Sequence, residues 1–169
     1  MRKAFVVVAV FVACTIAEHA LVACGDKFFI VGGGSNFNRA YASLHPGSIV
    51  LYAAGNSDIS KALRDARMQR HINNAGHQVR LVTDRRELDQ LIASGTVDVI
   101  LTDMPQAIDL QSGFASATSS PTLLPIETKA SADPQHRFAL TMKSSDNVKV
   151  MLDKLEKLMK ARQSGAKRN

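Results

Sequence analysis

Tryptophan is missing from this chain, and aromatic residues make up only 5% of it. A surface that binds nucleic acid by base stacking needs aromatic platforms, so that class of partner is not expected. Cysteine is nearly as scarce, with Cys14 and Cys24 alone. No apolar run reaches the ~20 residues of a membrane-spanning helix; the longest, from Ala4 to Ala17, has 14. His45, His71, His77 and His136 are scattered, with no His-x-x-x-His or His-Cys spacing, so no metal site is expected. No repeat and no Ser-His-acid constellation stands out, and no motif implies a cofactor.

What is present begins with Met-Arg-Lys ahead of that apolar run. A basic head, a short apolar stretch and a small-residue exit form the pattern of a secretory signal, assigned to residues 1–23. Leu21-Val22-Ala23-Cys24 then resembles a bacterial lipobox: aliphatic, small or aliphatic, small, Cys. The resemblance implies cleavage before Cys24, acylation of its thiol and membrane attachment there. Ordinary cleavage near Ala20 or Ala23, with Cys24 left as a free thiol, stays open beside it. Either way the protein is exported, to the periplasm or to a membrane as a lipoprotein. With Cys14 gone, one thiol remains and no internal disulfide can form. Stability must then come from a packed core, for which ~145 residues suffice in one domain. Without Arg2, Lys3 and Glu18 the net charge is +5, from 19 basic and 14 acidic residues. A charge of that size mainly confers solubility.

Residues 24–47 read as an N-terminal strand, Lys27 to Val31, followed by the Gly32-Gly33-Gly34 turn and a short helix from Asn36 to Leu44. The glycines lack the third Gly of a dinucleotide fingerprint, where Phe37 stands, and no Gly-Lys-Ser/Thr follows, so a plain turn is expected. From Ser48 the pattern alternates. Ser48 to Ala54 is a continuous apolar strand, and Asn56-Ser57-Asp58 offer caps for one helix from Ile59 to Asn74. Gln78 to Thr83 is the next strand, and Asp84 with Glu87 starts a helix carrying Leu88, Leu91 and Ile92. Val97 to Thr102 is a third strand. Gln111 to Ser120 and Glu127 to His136 read as loops around a fourth strand, Thr122 to Ile126, which Pro125 marks as short or at an edge. Arg137 to Met142 is the fifth strand. Val148, Met151, Leu152, Leu155, Leu158 and Met159 draw a closing amphipathic helix to Arg162, with a basic tail at 163–169.

Alternating strands and helices imply a three-layer α/β domain over 48–162. Its five-stranded, mainly parallel sheet takes the flavodoxin-like order 2-1-3-4-5, with the third and fourth crossover helices reduced to loops.

From Ser48 to about Lys160 the chain resembles a response-regulator receiver domain. Val97-Asp98-Val99-Ile100-Leu101-Thr102-Asp103-Met104-Pro105 is similar to the receiver segment that ends in the phosphoacceptor Asp. The resemblance implies a pocket of Asp103, Met104, Thr128, in the place of the switch Ser/Thr, and Lys143, in the place of the active-site Lys. Two departures stand out around these residues. Met-Pro follows Asp103 at once, and Ser144 replaces the usual Pro after Lys143. The larger departure lies after the first core strand, where receivers carry an acidic pair for Mg²⁺. Here the residues are Tyr52-Ala53-Ala54-Gly55-Asn56. A lone Asp103 holds magnesium poorly, and a phosphoryl group in transfer would lack its main counter-charge. The pocket therefore reads as degenerate, with Asp103 capping the turn that follows it.

The basic run Lys61, Arg64, Arg67 and Arg70, with Arg80, Arg85 and Arg86, is either an acidic-partner surface or a solvated face. Three function classes follow: an envelope binding or scaffolding module for a protein partner, a small solute-binding module, and an enzyme with an unrecognised non-metal site. The first is the leading expectation. The loops at 111–120 and 127–136 are where such a fold would place a ligand.

Overall fold

A computed structural model describes residues 42–114, 120–132, 135 and 137–166. The signal segment 1–23, Cys24, the 27–31 strand and the glycine turn lie outside the described residues.

The core is a five-stranded sheet: β1 (Ser48–Tyr52), β2 (Gln78–Val82), β3 (Val99–Asp103), β4 (Thr122–Glu127) and β5 (Met142–Lys143). Its order is β2-β1-β3-β4-β5 and every pairing is parallel. This is the flavodoxin-like order expected. Helices α1 (Asp58–Leu63), α2 (Ala66–Asn74) and α5 (Val148–Ala166) bury Ile59, Leu63, Met68, Ile72, Met151 and Leu155 against one face of the sheet. Helices α3 (Arg85–Ala93) and α4 (Met104–Phe114) place Leu88 and Leu110 on the other. β3 is buried along its whole length. Its successive side chains point to opposite faces, so Leu101 enters one apolar cluster and Ile100 the other. That is why this strand reads as unbroken apolar sequence.

Several expectations need correction. The helix from Ile59 to Asn74 is two helices, because the Asp65 carboxylate takes the Arg67 N–H at 2.8 Å and caps a new start. A short acidic side chain competes well for such a donor. The third crossover is not a loop but α4, with Met104, Ala107 and Leu110 buried. Pro105 sits in its first turn, where a missing N–H costs nothing. The fourth crossover, between β4 and β5, has no helix among its described residues. β5 is two residues, Met142–Lys143, rather than a strand from Arg137. Residues 42–44 are not helical, and α5 runs four residues past Arg162.

Pro125 is accommodated by that short β5. The Thr122 N–H donates to Asp98 on the β3 side, so in a parallel strand the N of Pro125, three residues on, points away from β3. There β5 begins only opposite Ile126. The proline thus costs no ladder bond.

Below the sheet, the segment leading into β1 is clasped to α5. Glu156 accepts from the Ser43 hydroxyl at 2.6 Å and pairs with the His45 ring and its N–H. It bonds there rather than to Lys160, the i,i+4 partner its spacing suggests. Burial pushes the Glu156 carboxyl up, but the His45 and Ser43 bonds outweigh it and hold it below its ordinary 4.5. Asp146 is likewise lowered, burial being outweighed by Lys154 and by the Lys143 N–H. His71 and His77 are held below 6.5, mainly by burial.

A histidine whose folded pKa is depressed takes up protons more readily when unfolded, so its stabilisation is complete above 6.5 and is lost as pH falls below it. The depressed carboxylates contribute above their unfolded values and are lost as pH falls through the folded ones. The urea midpoint should therefore hold level above about pH 6.5 and fall in two stages, first through the histidines and then, below about 4.5, through Glu156 and Asp146. His77→Gln should shrink the upper stage and Glu156→Gln the lower. A midpoint unchanged between pH 7.5 and 5.5 would sink the histidine assignment.

Candidate functional site at the C-terminal edge of the sheet

Parallel register brings the ends of β1, β3, β4 and β5 to one edge, with Asp103, Thr128 and Lys143 along it. Asp103 closes β3 and is 7% exposed. Its Oδ2 accepts the Ser57 hydroxyl at 2.9 Å, and its Oδ1 accepts the Gln106 N–H at 3.1 Å. The second bond caps the start of α4, the structural role the strand-end position suggests. Ser57 caps α1 in the same way, accepting the Ser60 N–H at 3.0 Å. One carboxylate therefore joins the two loops that open the edge.

A second layer of bonds fixes the β1–α1 loop. The Ser60 hydroxyl donates to the Ala54 carbonyl at 2.7 Å, and the Gln106 amide donates to the same oxygen at 2.6 Å. Thr102, fully buried, donates to the Tyr52 carbonyl at 2.9 Å. Arg64 closes the loop from outside, its guanidinium 2.7 Å from the Ala53 carbonyl and 2.5 Å from that of Gly55. Gly55 has φ +74°, a left-handed turn that side chains resist. Where a receiver would hold its acidic pair, this chain holds backbone carbonyls tied down by Ser60, Gln106 and Arg64.

The other expected pocket residues do not converge on Asp103. Met104 is 1% exposed and packs inside as the first residue of α4. Thr128 turns on itself, its hydroxyl 2.8 Å from that of Ser131 and accepting the Ala130 and Ser131 N–H groups. Lys143 is exposed, and its N–H donates to Asp146 at 2.9 Å. It lies two strands from β3, roughly 10 Å away at normal strand spacing, and no ion pair joins it to Asp103. Sequence reasoning missed Ser57, Ser60 and Gln106. The only signal for Ser57 was its capping position, and nothing local marks Gln106 as a partner of Ala54.

Among the described residues no group of three His, Cys, Asp or Glu could hold a metal ion, and no helix is long and apolar enough to cross a membrane. Most of the basic run is spent internally. Lys61 pairs with Asp58, Arg67 with Asp65, and Arg85 with Asp89 and Asp109 across α3 and α4. These exposed pairs contribute little each, but they leave a mixed surface rather than a cationic one. No family model matches the chain, and no curated protein or solved structure matches it significantly, so the edge is read from its own geometry.

Proposed function

We propose that this chain is an exported, non-enzymatic binding module of the bacterial cell envelope, built on a receiver-like scaffold that has lost phosphotransfer chemistry. One observation carries the reading: the Asp103 carboxylate is nearly buried and both its oxygens are already engaged, by Ser57 and by the α4 backbone. A phosphoacceptor needs a free oxygen facing solvent and a divalent cation beside it. Here the neighbouring groups are a hydroxyl, an amide and carbonyls. The same bonds make the edge a rigid surface, with Asn56, Ser57 and Lys143 exposed along it. Surfaces of that kind suit a protein partner, because little ordering is needed on binding.

Two measurements test this. Incubation with Mg²⁺ and acetyl phosphate should leave the intact mass unchanged, and a phosphoryl adduct on Asp103 would overturn the reading. A partner captured from envelope fractions by the wild type should be lost with the Asn56→Arg, Lys143→Glu double variant at unchanged melting temperature. Retention of the partner would remove the edge from the interaction.

A further inference from the structure

β2 is the outermost strand of the sheet, and its first half is left open on one face. Side chains alternate along a strand, and Val82 belongs to the Leu88 cluster, so Gln78 and Arg80 share that face. Register sets Ser48 beside Gln78 and Val50 beside Arg80. Helix α3 returns from the end of β2 to the start of β3, and β1 lies between those two strands. The helix therefore passes over β1 and away from the start of β2. It ends at Ala93, and Gly95, at φ +67°, turns the chain towards Val97. The result is a cavity of about 360 Å³. Val50, Leu91 and Val97 form its apolar part, and Ser48, Gln78 and Arg80 its polar part. The two valines are buried, whereas Gln78 and Arg80 are exposed. This cavity lies at the strand starts, the opposite end of the sheet from Asp103.

Charge decides what such a cavity accepts. Lys61, Arg67 and Arg85 are paired, but Arg80 makes no ion pair among the described residues. The Ser48 hydroxyl and the Gln78 side-chain amide likewise have no hydrogen-bond partner among them. No Asp or Glu lines the cavity. A cationic ligand would thus meet a guanidinium and no counter-charge, and a zwitterion would leave its ammonium unpaired. A planar guanidinium matches a carboxylate through two parallel hydrogen bonds. One cation balances one negative charge, so a multiply charged phosphate is a poor match. The valines and Leu91 suit a short hydrocarbon body, and the volume falls at the low end of small-molecule sites. We infer that this cavity binds a small monocarboxylic acid, its carboxylate on Arg80 and Gln78 and its hydrocarbon chain against Val50, Leu91 and Val97. The site is separate from the Asp103 edge and stands whether or not that edge holds a protein partner.

Titration of the full chain with hexanoate at pH 7, followed through amide NMR shifts, tests this. The amides of Gln78, Arg80, Leu91 and Val97 should shift together and saturate, with half-saturation at or below about 1 mM. Arg80→Gln should weaken binding roughly tenfold, the loss expected for a charged hydrogen-bond donor. Thr96→Phe, at an exposed position on the rim, should obstruct the apolar part and weaken binding as well. Unchanged Ile100 and Leu101 amides will show that each variant is folded. Hexanol and hexylamine, which lack the carboxylate, should bind wild type roughly tenfold more weakly than hexanoate. The inference is overturned by shifts that stay linear past about 10 mM, by hexanol or hexylamine matching hexanoate, or by an undiminished affinity in Arg80→Gln. Shifts confined to the Asp103 edge would overturn it too.

Discussion

Leu101→Ala should cost about 2–5 kcal/mol of folding free energy, the range for deleting a fully buried leucine side chain. Leu101 is 0% exposed in the middle strand of the sheet, in the cluster with Ile49 and Leu124 from its neighbours and Leu155 of α5. Those neighbours are held by parallel pairing on both sides of β3. They cannot collapse into the hole without breaking register, so the cavity cost adds to the lost burial. Domains of this size are stable by only about 5–15 kcal/mol, so the variant should approach marginal stability. Urea unfolding at constant m-value is the measurement. A loss under about 1 kcal/mol would show that the site relaxes far more than its packing implies.

The second large effect belongs to the edge. Asp103→Ala should destabilise by about 0.5–2 kcal/mol, since it removes the cap on the Gln106 N–H that starts α4 and the link to the Ser57 hydroxyl. Ser57→Ala removes the same hydroxyl and also the cap of α1, the latter worth about 1 kcal/mol. The two changes share a bond, so a double-mutant cycle should show a coupling of about 0.5–3 kcal/mol. The sign matters more than the size. A carboxylate kept for chemistry is usually tolerated at a cost to stability, and removing it is neutral or stabilising. A more stable Asp103→Ala would therefore argue for an active site and against the capping role.

How much of this could be read beforehand depends on how local the cause was. The strands at Ser48 and Val99 announce themselves because apolar side chains at both parities need cover on both faces, and that demands a parallel sheet. The α5 stripe is equally legible, and all six of its apolar positions are buried. α4 was hidden by Pro105 and by the small residues at 112 and 113, which read as a turn until the first is seen in an opening helical turn. The break at Asp65 was hidden because the apolar spacing runs on across it; a cap beats a continuing helix only when packing favours the new direction. β5 was misplaced because a two-residue strand has no period to detect.

The sequence by itself determined the layer order, the apolar faces and the absence of an acidic pair after β1. Each of these rests on residue types at short spacing. Only the tertiary structure decided what Asp103 does. Its partner Ser57 lies 46 residues earlier in the chain and bonds to it because parallel pairing of β1 with β3 brings both strand ends to one edge. The same holds for Glu156, whose bonds to Ser43 and His45 span more than a hundred residues. Local pattern sets which elements form. The meeting of their ends is a property of the folded chain, because loop closure over such distances is offset only when the whole core packs.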